Sequence, residues 1–299
     1  MIKISITPLS GALGAEIFCD DFISITKTEG QELRQALLDH LFILIRGQCF
    51  TDQNLVAFTD IFGELKSPLT ASQRAANVSP NAHPDVSVIS NVVENGITIG
   101  SLGDGEAEWH TDYNFDETPY AAAMLHALEI PPHGGDTSWS NMYLACDTLP
   151  TRLREKIDGL TIKHDTSYNA AGILRRGFSA VTDVCISPGP SHPIIRTHPE
   201  TGYNCLYLGR RLHAYVNGMT LEESNKLLDE LWAHAVTPAF QWRHQWRVGD
   251  IIVWDNRCTM HHRQEFDGRH RRIMHKTQTR GDRPFYRDDN SKPHPRSQF

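Results

Sequence analysis

The 299-residue sequence predicts an α+β fold that is mainly β, a β-sandwich or barrel with helices flanking its core. Two observations carry that expectation. Short apolar or alternating runs, closed by Gly, Pro, Asn or Asp, recur along the chain as half-buried and core strands require. Helical spacing, by contrast, holds over only a few segments. No internal repeat, low-complexity tract or linker divides the sequence, so residues 1–299 are expected to form a single domain, with 287–299 as a mobile polar tail.

In chain order, TEGQELRQALLD at 28–39 has the spacing of a surface helix, and LFILIRG at 41–47 reads as a buried strand closed by Gly47. Thr51 supplies a capping hydroxyl for a second helix, with Leu55, Phe58 and Phe62 on one face and an end near Gly63. Strands are expected at 86–93, around Trp109, and at 121–128, 160–165 and 193–198. The HPETG segment then turns at Gly202 into CLYL, and Phe240, Trp242, His244 and Trp246 alternate before a turn at Gly249-Asp250. A third helix over 221–235 opens on the capping-box pair Thr220 and Glu223. Leu221, Leu227, Leu228, Leu231 and Ala235 form its buried stripe, which Ser224 interrupts. Segments 66–85, 94–107 and 166–192 read as long loops, the last of them, with Tyr168, Asn169 and Phe178, as a lid over the site.

Composition narrows the partner. With 39% hydrophobic and 22% charged residues the chain is ordinary globular protein, and a net charge of −7 disfavours a nucleic-acid binder, leaving a small molecule. The six cysteines form no C-x-x-C pair, which suits a reducing cytoplasm. The N-terminus has no long apolar run, and no stretch has the apolar length to span a bilayer, so the protein is expected to be soluble and unexported.

The chemistry concentrates in two motifs. EWHTDYNF sets His110 and Asp112 two residues apart, on one face if the segment is extended. VWDNRCTMHHRQ brings His261 just after an apolar strand, and two histidines with one carboxylate make the facial set that suits Fe(II) and leaves coordination positions open. H-x-D alone is weak in a chain with 16 histidines; the neighbours decide it. Arg272 follows in HRRIMHKTQ, where alternation puts Arg272, Met274, Lys276 and Gln278 on one face and turns His275 away, as it turns His262 away from His261. His126, His164, His198 and His213 read as satisfied structural residues, Arg210 and Arg211 as a surface pair, and Trp246 and Trp254 as core. Neither H-E-x-x-H nor G-x-S-x-G is present, so a hydrolase has no support.

Together WHTDYNFDETP (109–119), GGDTSW (134–139), RTHPETG (196–202), WDNRCTMH (254–261) and RRIMHKTQTRGDRPFYR (271–287) resemble the taurine dioxygenase and 2,4-dichlorophenoxyacetate dioxygenase (TauD/TfdA) family. The resemblance implies a double-stranded β-helix, the cupin-like jelly roll, in which His110, Asp112 and His261 hold Fe(II). It implies 2-oxoglutarate and O2 as co-substrates, with Arg272 and Thr137 on the distal carboxylate of 2-oxoglutarate. A planar guanidinium and a hydroxyl are chemically suited to that task. The implied reaction hydroxylates a C–H bond while 2-oxoglutarate is decarboxylated to succinate and CO2, with cleavage following where the carbon bears a heteroatom. A homo-oligomer is implied as well. Asp112 fills the carboxylate position that halogenases lack, which favours hydroxylation; desaturation or cyclisation on the same scaffold, and a non-catalytic metal-binding or small-molecule-binding barrel, are the alternatives. The sequence departs from the taurine enzymes at Lys276, where they carry arginine, and at Glu106, where they carry an amide, so a cationic or zwitterionic substrate enters consideration. Lys276, Tyr113, Glu106 and Asn91 are the candidate substrate-binding residues.

Overall fold

The computed structural model describes residues 3–67, 83–175 and 177–288; most of the 66–85 segment and of the 287–299 tail lies outside them. The most apolar runs of the sequence become central strands. Phe42–Ile45 and Ile251–Asp255 are buried at every residue because both faces of their sheet are covered. They pair antiparallel, Ile251 opposite Ile45, and Ile251–Asp255 pairs on its other edge with Ala122–Glu129. Among the described residues this sheet has eight strands, in spatial order Ile4–Pro8, Ala15–Cys19, Phe42–Ile45, Ile251–Asp255, Ala122–Glu129, Ile273–Gln278, Ser87–Ser90 and Ser101–Leu102. A second sheet orders Gln241–His244, Thr137–Asn141, Thr259–Arg263 and Ala107–His110.

Strand alternation divides the core in two. Ile43, Ile45, Met124, Ile251 and Val253 face outward under the helices Lys27–His40 and Asp52–Thr59, through Leu33, Leu37, Leu55 and Phe58. Leu44, Leu125, Ile252, Trp254 and Met274 face the second sheet, against Trp139 and Met260. Trp139 anchors that layer, its ring centroid 5.5 Å from Phe42 and 5.9 Å from Trp254. The functional strands thus share one interior between two walls.

The expected helices form where their caps place them. Thr26, Thr51 and Thr220 each accept from the backbone N–H three residues on, and Glu29, Asn54 and Glu223 return the bond. Ser224, the break in the stripe of Leu221–Ala235, is buried and accepts from the Val216 N–H at 2.9 Å. Its hydroxyl is the acceptor that a strand end needs.

Three expectations change. The 94–107 segment is not a plain loop: Val93–Glu94 and Ile97–Thr98 make a hairpin across Asn95-Gly96, both at positive φ, and Ser101–Leu102 joins the large sheet. The N-terminal strands Ile4–Pro8 and Ala15–Cys19 extend that sheet at its edge. Helices also form at Met142–Asp147 and Thr151–Ile157; the first is buried almost throughout, so no amphipathic stripe announces it. The 166–192 segment remains largely irregular, with one 3-10 turn and a short strand near its end. Among the described residues no helix is long and apolar enough to cross a membrane, and all six cysteines are free thiols.

Candidate active site

His110 ends the strand Ala107–His110 and stands directly opposite His261 in Thr259–Arg263. Asp112 lies beyond the strand, in a turn, so it reaches the face of His110 through a bend and not through the strand alternation expected from sequence. That bend is clamped by Asn256: Asp112 N–H donates to its Oδ1 and its Nδ2 donates to the Asp112 carbonyl, both at 2.9 Å. The next residue, Tyr113, sits at φ +54°, a left-handed conformation that turns the chain away from the site. Asn256 belongs to the quoted WDNRCTMH run, but spacing gives no sign that its amide works on Asp112.

The three side chains converge. His110 Nε2 is 3.6 Å from one Asp112 oxygen, His261 Nε2 is 3.9 Å from the other, and one ligand atom from each residue lies within 4.8 Å of the rest. His110 Nδ1 is 2.6 Å from the Glu108 carbonyl, which assigns the proton to Nδ1 and leaves Nε2 as a free lone pair. Burial, and then the neighbouring His110 ring, push the His261 imidazole well below its ordinary pKa, toward the neutral form a metal requires. Burial would raise the Asp112 carboxyl, but the ammonium of Lys276 and the two imidazoles outweigh it and hold the group well below the usual carboxylate range. Two imidazole nitrogens and an ionised carboxylate on one face fit a divalent metal with open positions.

Arg272 is the second feature. It is buried, and among the described residues its Nε has no partner and its guanidinium makes one hydrogen bond, a long 3.5 Å contact from Nη2 to the Gly135 carbonyl. Among the described residues no carboxylate pairs with it: burial first, and then the cation of Arg263, lower its pKa to about 9. A buried guanidinium that meets an aromatic ring, a distant carbonyl and a second cation, but no carboxylate among the described residues, is a site prepared for an anion. Gly135 at φ +69° packs against the Arg272 side chain, and Thr137 follows two residues later. Trp246 Nε1 donates to the Thr137 hydroxyl at 3.0 Å, so the hydroxyl proton is free to be given to an incoming carboxylate.

The sequence profile of the taurine catabolism dioxygenase TauD, TfdA family matches residues 5–278. The chain belongs to the TauD/TfdA dioxygenase family. The alpha-ketoglutarate-dependent 2,4-dichlorophenoxyacetate dioxygenase of Cupriavidus pinatubonensis is 29% identical, over 87% of this chain and 91% of its own length. Pentalenolactone F synthase of Streptomyces arenae is 30% identical over 91% and 93% of the two chains. The crystal structure of a taurine dioxygenase from Burkholderia xenovorans superposes with a TM-score of 0.75 at 31% identity, covering 96% of this chain and 94% of that one. The mainly-β architecture with few helices is the one this TauD/TfdA member shares with that enzyme.

The ligand face of His110 and Asp112 opens into a cavity of about 260 Å³ that Tyr113, Phe115, Arg175 and Lys276 also line. A larger cleft of about 940 Å³ runs beside Arg272 along the Gly134–Asp136 turn, and none of the three ligands borders it. Lys276 and Tyr113 are therefore at the cavity. Lys276 Nζ donates to Asp112 Oδ2 and lies 5.6 Å from the Trp254 ring centroid; Tyr113 stacks on Tyr120 at 4.1 Å. Glu106 and Asn91 are elsewhere. Glu106 is exposed on the outer side of the Ala107–His110 strand, 2.5 Å from His262, which itself stacks on Trp109. Asn91 donates to the Gly268 and His270 carbonyls and accepts from the Arg272 N–H, so its amide is spent on the turn that delivers Arg272. Neither lines the cavity, because alternation and local hydrogen bonding commit both to the protein itself. His275 points outward to Asp52 at 2.5 Å, as alternation requires.

Arg210, expected to form a surface pair with Arg211, lies instead at the cavity. It is buried, its backbone bridges His110, and its guanidinium donates to the Tyr168 and Asn169 carbonyls and to Asp165. The arginine thus ties the 166–192 segment to the strand that ends at His110. A second cluster, His198, Asp255 and Cys258, has metal-like spacing, yet Asp255 is already held by Arg257 at 2.6 Å and His198 at 3.0 Å. A cation in place makes that cluster a structural ion network joining the HPETG turn to the Ile251–Asp255 strand.

Proposed function

We propose that this TauD/TfdA family member is an Fe(II)- and 2-oxoglutarate-dependent dioxygenase that hydroxylates a C–H bond of a small substrate. The orphaned, buried Arg272 guanidinium is the observation that carries the reading: a stable fold keeps such a group only with an anion to meet it. His110, Asp112 and His261 would hold the iron, and Arg272 with Thr137 would hold the distal carboxylate of 2-oxoglutarate. Bound together there, iron, 2-oxoglutarate and O2 supply the oxidising equivalents, with succinate and CO2 as the co-product.

The protein's own part is position and charge. Glu108 and Asn256 orient two of the ligands through the backbone. Lys276 fixes the rotation of the Asp112 carboxylate by bonding Oδ2, the oxygen that faces His261, and so borders the substrate while acting through the ligand. Tyr113 walls the cavity, whose volume admits only a small molecule. The phenoxyacetate relative acts on an ether-bearing acid, and hydroxylation next to such a heteroatom would release two fragments here as well. We read the two facing sheets as the walls of a double-stranded β-helix in one domain, working as a homo-oligomer, and the six free thiols as suited to a reducing cytoplasm.

Anaerobic addition of Fe(II) and 2-oxoglutarate to the metal-free protein should raise the weak visible charge-transfer band of the chelate, and His261→Ala should lose it. Succinate should then form when air is admitted. Folded protein that binds zinc but shows neither band nor succinate would instead be a non-catalytic barrel.

A further inference from the structure

The cavity at the ligand triad carries three cations, and two of them are already occupied. Lys276 is bonded to Asp112. Arg210 gives its donors to the Tyr168, Asn169 and Asp165 carbonyls and to the Asp165 carboxylate. The third is Arg175. Among the described residues its guanidinium makes no hydrogen bond or ion pair; it lies 3.7 Å above the centroid of the Phe115 ring and lines the cavity. Stacking on a ring face fixes the plane of a guanidinium and leaves its in-plane N–H groups free, the geometry that binds a carboxylate or sulfate with two parallel bonds. The one carboxylate on the cavity wall is Asp112, a metal ligand in the proposed function.

The position of Arg175 is built. Its N–H donates to the Ser167 carbonyl, closing a finger of chain whose tip is the turn Asn169–Gly172. Tyr168 and Leu174 bridge that finger, and Arg210 fastens its base to the barrel. Asp165, the acid near enough to favour the charge on Arg175, is already paired with Arg210.

We propose that Arg175, carried on the 166–192 lid segment, is the specificity residue of this enzyme: it binds the anionic end of a substrate whose apolar body lies against Phe115, Tyr113 and Tyr120. The inference rests on the dioxygenase reading and names its substrate class, a small monoanion on an apolar or aromatic frame. It replaces the cationic or zwitterionic substrate that Glu106 suggested, since Glu106 lies outside the cavity. It also places recognition on a loop instead of on Lys276 of the barrel strand.

The test uses the full-length protein with Fe(II), 2-oxoglutarate and O2, and a panel of phenoxyacetate, hexyl sulfate and hexanesulfonate beside neutral counterparts such as phenoxyacetamide. Substrate-stimulated succinate release gives kcat and KM for each. An anion should be preferred to its neutral counterpart by about tenfold or more in kcat/KM, and Arg175→Gln should raise the KM of the anion until that preference is nearly gone. Arg175→Lys, which keeps the charge but not the fork, should restore part of it. The preference surviving in Arg175→Gln, a neutral compound serving best in the wild type, or no anion stimulating turnover would each overturn the proposal. Slow succinate formation by the wild type without added substrate reports on the dioxygenase reading separately, so that failure of one is distinguishable from failure of the other.

Discussion

At the scale of single residues, Arg272 and Asn91 divide one task. Arg272 supplies the charge, and Asn91 holds the backbone from which it projects. Arg272→Gln should therefore raise the KM for 2-oxoglutarate by about 100-fold, the loss of a bidentate charge-assisted pair, and Asn91→Ala by a smaller factor, about tenfold. Steady-state kinetics on the two variants decides it: equal effects, or none, would remove Arg272 from the co-substrate site. The convergence of His110, Asp112 and His261 and the place of Lys276 beside them were legible in the sequence, because their motifs fix identity and spacing together. The roles of Asn91 and Glu106 were not, since spacing brings a residue near a site without saying where its hydrogen bonds go. Asn256 and Arg210 were hidden for the opposite reason: each acts through backbone carbonyls and amides of distant segments, which leave no mark on local pattern.

Among the elements, those that carry their own local signals were readable. The helix Leu221–Ala235 announces itself by a capping box and a leucine stripe, and it forms with the bounds that these set, although Leu221, expected on the buried side, is exposed in the first turn. Its polar break is the informative position. Ser224 is fully buried and is the acceptor for the Val216 N–H, so Ser224→Ala leaves a buried donor without a partner and should destabilise the fold by about 1–3 kcal/mol. A solvent-facing serine would cost a few tenths at most, and urea unfolding separates the two. The N-terminal strands and the buried helix Met142–Asp147 lack such signals. The first depend on the edge of a sheet whose nearest paired strand, Phe42–Ile45, is more than twenty residues away, and the second is apolar on all sides. Their form is decided by tertiary contact, which no window of sequence contains.

For the molecule as a whole, the distribution of buried imidazoles sets the response to acid. Burial pushes His126, His164, His192, His198 and His244 below the ordinary histidine pKa, and His164 most clearly, packed 5.3 Å from His192 in the interior. These rings are neutral in the fold but free to protonate near pH 6.5 in the unfolded chain. Their contribution is whole above that pH and is lost as the pH falls toward the folded values, since only the unfolded state gains protons there. The ion network of Asp255, Arg257 and His198 behaves differently: burial opposes the Asp255 charge, but Arg257 and His198 hold the carboxyl far below the usual range, so its contribution outlasts the histidines in acid. Unfolding free energy measured on the metal-free protein should hence fall as the pH is lowered from 7 to 5. His164→Gln should make that slope shallower, by up to about 1.4 kcal/mol per pH unit, the value of one proton, at the acid end of the range. An unchanged slope in the variant would mean that His164 takes up its proton in the folded state as readily as in the unfolded one, and that the interior beside His192, Asn114 and Tyr207 admits charge.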